Sequence, residues 1–217
     1  MKPRTWETNW RERHSRELWT APDSEVVELV RMLRSEDVRR VLDLGFGLGR
    51  HLIFFAREGF ETYGIEPTTS GYAYCRDWLK AEGLRADIRI GDMSGLPYGD
   101  EFFDFVLSWN VIYHGTLAQL RRALEEIRRV TRRRGLVYLT LNSTRNKDCG
   151  HGTEVEPNTF MNPLKTDGDL PHHYSDGEEV KGLLEDWDMM RVEEREESFA
   201  DTLHPDTYHW MVLVRKP

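Results

Sequence analysis

The sequence predicts an α/β domain built on a doubly wound, mainly parallel sheet, and three observations carry that prediction. Strand-like apolar pieces alternate with amphipathic helical stretches between residues 40 and 141, the connections are short, and the first strand runs straight into a glycine-rich turn. Parallel neighbouring strands need crossover helices, so this rhythm implies helices on both faces of one sheet. A length of 217 residues, with 39% hydrophobic and 11% aromatic residues, suits one domain spanning 1–217 around a single core.

The elements are read in order. Residues 1–35 form a helical cap, its first twenty residues polar but carrying Trp6, Trp10 and Trp19 as one sticky face. Val26, Leu29, Val30 and Leu33 recur at helical spacing, and Asp23 or Ser24 can cap the free amides at the start of that helix. Arg40 to Leu44 reads as a buried strand. Helices are expected at Leu48 to Glu58, Thr69 to Glu82 and Thr116 to Arg133, and strands at Glu61 to Ile65, Ala86 to Ile90, Phe103 to Trp109 and Leu136 to Leu141. Leu117, Leu120, Leu124 and Ile127 stripe the long helix, and Gly135 is expected to end it. After Asn142 the rhythm breaks for about thirty residues rich in Gly, Asn, Asp, Thr and Pro, a lid-like insertion over 143–175, since long loops in compact domains are usually functional. A helix from Asp176 to Asp186 and β-rich stretches at Met189 to Glu194 and Tyr208 to Val214 complete the chain.

Composition narrows the function. A formal charge of −8 argues against a nucleic-acid backbone as the main partner, because such binders usually carry net positive charge. The arginines at 121, 122, 128, 129 and 132–134 are interleaved with Glu125 and Glu126, a solvated helical face rather than an RNA platform. No apolar run approaches the roughly 20 residues of a membrane span, and the first residues lack a secretory stretch. Two cysteines, Cys75 and Cys149, make no disulfide framework. A cytoplasmic protein with no membrane partner is expected, and nothing in the sequence sets its oligomeric state.

The central signal is Val41-Leu42-Asp43-Leu44-Gly45-Phe46-Gly47-Leu48-Gly49. A glycine-rich strand-to-helix turn followed by an acid about 20 residues later is the general arrangement for an adenosine ribose, and Glu66 stands at that distance. Asp92 follows the third strand, placed to accept an adenine amine. Nicotinamide enzymes want G-x-G-x-x-G so that a helix amino end faces a pyrophosphate. Here the loop is D-x-G-x-G-x-G, and a carboxylate two residues before the first glycine opposes a pyrophosphate but suits an ammonium and a sulfonium.

On Asp43, Gly45, Gly47, Gly49, Glu66, Asp92 and the Phe103-Asp104-Phe105-Val106-Leu107-Ser108 strand, the chain resembles the class I S-adenosylmethionine-dependent methyltransferases. The resemblance implies a Rossmann-like, mainly parallel seven-stranded sheet with an antiparallel C-terminal strand. It also implies S-adenosyl-L-methionine as cofactor: the three glycines and Asp43 around its methionine part, Glu66 on the ribose, Pro67 and Met93 flanking the adenine, Asp92 on its amine. Ser108, Trp109 and Asn110 would lie beside the methionine moiety. Phe46 departs from the small or polar residue common at its position.

Ligands in open α/β sheets bind beyond the carboxyl ends of the strands, so the acceptor site is sought after the fourth strand and in the long insertion. His114, as an imidazole, is a candidate base, or else a structural histidine before the next helix; Tyr113 beside it is a second candidate. Glu156, His172 and His173 are candidate acceptor contacts. Glu156-Pro157-Asn158-Thr159-Phe160, Pro171-His172-His173-Tyr174 and His209-Trp210 are similar to the tail of tellurite-resistance-type methyltransferases, which implies a small, soft or thiol-like acceptor. Cys149, His151, His172 and His173 lack zinc-ligand spacing, so no metal is expected. Methyl transfer to a small molecule is therefore the leading reading. A Rossmann-type oxidoreductase and a non-catalytic adenosylmethionine-binding protein stand as alternatives.

Overall fold

A computed structural model describes residues 6–11, 19–163, 170–196 and 206–217. The parts of the N-terminal cap at 1–5 and 12–18, and of the insertion at 164–169, lie outside the described residues. Among the described residues there are ten strands: β1 (Arg40–Leu44), β2 (Glu61–Glu66), β3 (Asp87–Ile90), β4 (Phe103–Ser108), β5 (Thr131–Ser143), β6 (Thr153–Glu156), β7 (Thr159–Met161), β8 (His172–Ser175), β9 (Asp188–Glu196) and β10 (Tyr208–Arg215). The helices are α1 (Trp6–Asn9), α2 (Ser24–Ser35), α3 (Arg50–Arg57), α4 (Thr69–Glu82), α5 (Leu117–Val130) and α6 (Gly177–Leu183).

Seven strands form the main sheet in the order β3-β2-β1-β4-β5-β10-β9, with β3, β2, β1, β4 and β5 mutually parallel and β10 antiparallel to both its neighbours. This is the seven-stranded, doubly wound sheet with an antiparallel C-terminal strand that the sequence predicts. Because side chains alternate along a strand, each buried strand feeds two cores. Leu42, Val106, Val137 and Leu139 face Leu120, Leu124 and Ile127 of α5 and Val180 of α6. Val41, Phe105, Leu107 and Tyr138 face Val26, Leu29 and Leu33 of α2 and Phe55 of α3. The chain passes from the β1–β2–β3 half to the β4–β5 half across β1 and β4, and a crevice opens there beyond the strand ends.

Two elements differ from expectation. The long helix ends at Val130, three residues early, and β5 starts at Thr131. Thr131 turns extended (ψ 131°) and returns its hydroxyl to the Ile127 carbonyl at 2.6 Å, closing the helix without glycine. Asp104 then draws the chain into the sheet, pairing with the Arg132 side chain while accepting the Arg39 and Arg40 amides at 2.8 Å each. Gly135 thus lies within β5, and Arg132, Arg133 and Arg134 do not belong to the helical face. The segment after Asn142 is also more ordered than a loop. β6 and β7 form a hairpin, β7 pairs antiparallel with β8, and β8 adds in parallel to the far end of β5 through Asn142 and Ser143. The strands are short and polar, so their side chains carry little of the alternation that marks a half-buried strand.

Candidate functional site

The crevice at the switch point is a cavity of about 400 Å³, the size range of small-ligand sites. Its floor is the glycine turn. The Gly45 and Phe46 amides both reach the Ile65 carbonyl at the end of β2, at 2.8 and 3.2 Å, which seats the loop against the neighbouring strand. Gly49 then begins α3 in the left-handed region (φ 96°), where an added Cβ would come within 2.5 Å of Cys75 Sγ. Gly47 also has positive φ (56°), and its Cα face touches the Trp10 indole, since a Cβ there would lie 3.0 Å from the ring.

Two carboxylates line the floor. Asp43, the penultimate residue of β1, is 2% exposed, and its Oδ2 has no hydrogen-bond partner among the described residues. Burial pushes its carboxyl up to about 7, against the opposing pull of the Arg50 guanidinium and the Leu52 amide. An unsatisfied buried carboxylate oxygen is costly, and a cationic ligand is the natural partner for one facing a cavity. Glu66, at the end of β2, is fixed by three donors: the Gly47 amide at 2.9 Å, the Thr68 amide at 3.0 Å and the Thr68 hydroxyl at 2.5 Å. Burial still raises its affinity for a proton above the ordinary value, with those hydrogen bonds pulling the other way.

The third wall comes from the turn after β3. Asp92 and Met93 line the cavity, and Asp92 accepts the Ser94 amide at 2.7 Å, which pins the turn. Further along, Glu126 on α5 accepts the Leu96 amide at 2.7 Å while Arg129 bonds the Leu96 and Tyr98 carbonyls at 2.9 and 2.8 Å. Hydrogen bonding to Arg129 lowers the Glu126 carboxyl to about 2. Part of the arginine-rich helix is therefore a brace for this loop.

Beyond β4 stand Trp109, Asn110, Val111 and His114. Asn110 has φ 58°, a conformation costly for a residue with a Cβ, and is held by its amide donating to Thr140 Oγ1 at 2.8 Å and its side-chain oxygen accepting from the same hydroxyl at 3.0 Å. His114 Nδ1 lies 2.8 Å from the Val111 carbonyl, which can only accept, so in the neutral ring Nδ1 carries the hydrogen and Nε2 is the acceptor.

Of the residues singled out in the sequence, Asp43, Gly45, Gly47, Glu66, Pro67, Asp92, Met93, Trp109, Asn110 and His114 share this one cavity. The other candidate cofactor, catalytic and acceptor residues stand outside its lining. Gly49 shapes the start of α3, and Ser108 is fully buried. Tyr113 and His172 pack behind His114, at ring-centroid distances of 4.5 and 4.8 Å from it. Glu156 accepts the Leu117 amide at 2.6 Å, capping α5, and His173 lies between the Thr159 hydroxyl at 2.7 Å and Glu179 at 2.8 Å. The two adjacent histidines thus point to opposite sides of β8. No group of three His, Cys, Asp or Glu among the described residues is arranged to hold a metal.

Sequence reasoning missed the roof. Trp6, Glu7, Trp10 and Trp19 of the N-terminal segment line the cavity, with Arg50, His51, Gln119 and Leu170. Glu7 anchors α1 to the start of α4, accepting from the Thr69 hydroxyl at 3.0 Å and the Ser70 amide at 3.2 Å. His51 accepts the Asp23 amide at 3.1 Å, and burial holds its ring well below its ordinary pKa, hence neutral. Three tryptophans in twenty polar residues were the available signal for the roof; nothing local marked His51.

Comparison with known proteins agrees with this geometry. Residues 41–135 match the family described as a methyltransferase domain. Over 106 residues the chain is 31% identical to the ubiquinone biosynthesis O-methyltransferase of Rhizobium johnstonii, an alignment covering 48% of this chain and 42% of that protein. The chain thus spans less than half the length of such curated relatives. A S-adenosylmethionine-dependent methyltransferase from Methanosarcina mazei superposes with a TM-score of 0.71 at 19% identity, covering 85% of this chain and 96% of that one. The 1,6-didemethyltoxoflavin-N1-methyltransferase of Burkholderia thailandensis, solved with S-adenosylhomocysteine and its acceptor, superposes with a TM-score of 0.68 at 17% identity, covering 94% and 82%. Fold, strand order and glycine turn agree with the methyltransferase-domain match over residues 41–135.

Proposed function

We propose that this chain transfers a methyl group from S-adenosyl-L-methionine to a small molecule in the cytoplasm. The observation that carries the reading is the buried, unpartnered Asp43 oxygen beside the glycine turn, a site for the ammonium of the methionine part. The residues fit the rest of the cofactor. Glu66 has carboxylate lone pairs facing the cavity for ribose hydroxyls, Pro67 and Met93 flank the adenine position, and Asp92 accepts its amine. Gly45 and Gly47 leave room for the amino-acid part, and Trp109 and Asn110 border the sulfur side. When bound, the cofactor supplies an already activated methyl group.

The chain's own residues then have three tasks. Alignment of the acceptor against the methyl supplies the largest share, since well-oriented intramolecular reactions gain about 7–11 kcal/mol. The tryptophan roof, with Leu170 of the insertion, excludes water. His114 takes the acceptor's proton on Nε2, with its tautomer set by Val111, a contribution that is typically 10²–10⁴-fold. Tyr113 and His172 hold the His114 ring from behind; Ser108 and Gly49 shape the floor; Glu156 and His173 order the base of the lid. The relatives' names, which include ubiquinone biosynthesis and 1,6-didemethyltoxoflavin, support a small-molecule substrate.

The test is thermal denaturation with S-adenosylhomocysteine or NADH. A ligand at 100 times its Kd adds about 2.7 kcal/mol to the stability of the native state. A clear rise in Tm with S-adenosylhomocysteine and none with NADH is expected. The reverse pattern would favour the oxidoreductase reading.

A further inference from the structure

Once the cofactor residues are set aside, the cavity wall carries three tryptophans and His114, beside Val111, Leu170 and the amide of Gln119. Trp6 stacks on Trp10 with centroids 4.8 Å apart, and Trp19 meets both edge-on at 6.1 and 5.9 Å. Trp10 rests on Gly47, at the cofactor end. Trp6 meets the His114 ring at 5.8 Å and 87°. Indole surface therefore runs without a break from the glycine turn to the proposed base. Val111 and Leu170 close the same side with apolar surface.

Formal charge is distributed differently. Asp43, Glu66 and Asp92 are the carboxylates of the cofactor half, and Glu7 turns its carboxylate away to Thr69 and Ser70. Arg50 lies over the Trp19 ring at 4.9 Å and acts on Asp43. Against His114 stand the Val111 carbonyl and the rings of Trp6, Tyr113 and His172. A wall of indole, imidazole and aliphatic surface favours a flat, uncharged, π-rich ligand, because aromatic faces and edges attract one another beyond the area they bury. Small hydrated oxyanions and short aliphatic thiols present too little surface to use it.

Resting on the methyltransferase reading above, we infer that the acceptor is a planar aromatic or heteroaromatic molecule bearing one ionisable O–H or N–H, and that Trp6 is the residue that selects it. The transfer balances simply. The acceptor O or N forms the bond to the methyl carbon, the carbon–sulfur bond breaks with its electron pair left on sulfur, and the acceptor proton passes to His114 Nε2. The sulfonium charge is thereby exchanged for an imidazolium, which water discharges after release.

The experiment is calorimetric titration in two stages. The native chain is first titrated with S-adenosylhomocysteine, then the loaded chain with catechol, 8-hydroxyquinoline, 2-mercaptoethanol, glycine and selenite. Binding of one or both aromatic probes is expected, with no heat from the other three. Trp6→Ala should weaken the aromatic probe at least tenfold and leave S-adenosylhomocysteine within about threefold, and Trp6→Phe should recover most of the loss. Circular dichroism of both variants reports folding, and Trp6→Phe keeps the test decisive if Trp6→Ala does not fold. Adenosylhomocysteine binding with no aromatic binding, binding of the thiol, amine or oxyanion instead, or aromatic affinity indifferent to both substitutions would overturn the inference alone. Absence of adenosylhomocysteine binding to the native chain would overturn the methyltransferase reading, and this inference with it.

Discussion

Asp43 and Glu66 are both buried acids in the same cavity, yet they stand in opposite states of satisfaction. Glu66 has three protein donors, whereas Asp43 Oδ2 has none among the described residues. Removing Glu66 as Ala should cost the hydrogen bonds to a charged acceptor, about 1.5–3 kcal/mol, and so weaken S-adenosylhomocysteine roughly tenfold or more by calorimetry. Asp43 gives a pH signature. Its carboxyl is raised from 3.8 to about 7 in the folded chain, so the stability it contributes is whole below pH 3.8 and is lost as the pH climbs through 7. The span corresponds to at most about 4 kcal/mol. Asp43→Asn should therefore flatten denaturant stability between pH 4 and 7 and be the more stable chain at pH 8. In the native chain, adenosylhomocysteine affinity should rise through that range, because the ammonium favours the ionised acid; the variant should lose that rise. The place of the two acids in one cavity was legible from spacing, since both are set by their distance from the glycine turn. The satisfaction of one and the isolation of the other were not, because Thr68 and Gly47 reach Glu66 only through the fold.

At the scale of elements, the glycine turn and its flanking strands are tightly specified. Gly49 begins α3 with φ 96° against Cys75 of α4. Gly49→Ala should destabilise by about 2–5 kcal/mol, summing left-handed strain of about 1–2 and overpacking of about 1–3 kcal/mol. Cys75→Ala in the same chain should restore only the overpacking part, a non-additive pair that urea denaturation can resolve. The loop after β3 depends on α5 in another way. Glu126 is held at about 2 by Arg129, so its contribution is present above pH 4.5 and is lost as the pH falls toward 2. Glu126→Gln should cost up to about 3 kcal/mol at neutral pH and remove that part of the acid transition. Apolar periodicity marked every strand and helix of the main sheet. It misplaced the end of α5, where Thr131 and the Asp104–Arg132 pair decide, and it missed β6, β7 and β8, whose pairing rests on backbone hydrogen bonds between polar segments.

For the whole molecule, the division of labour follows from topology. Four parallel strands, β1 to β4, deliver the residues proposed to hold the cofactor to one edge, because the chain reverses its sheet order between β1 and β4. That arrangement was visible in the alternation of elements and in the four spaced motifs. The proposed acceptor half is assembled from remote pieces: α1 from the N-terminus, His114 after β4, and β8 from the insertion, which bridges to His114 through His172. No local pattern encodes contacts across such separations, which is why the tryptophan roof escaped the sequence while the glycine turn did not. The decisive measurement is a crystal structure of the chain with S-adenosylhomocysteine. The expected density places its amino group against Asp43, its ribose hydroxyls on Glu66, its adenine between Pro67 and Met93, and its sulfur directed toward His114. Ligand density elsewhere, or a ribose remote from Glu66 with Asp43 still unpartnered, would contradict it.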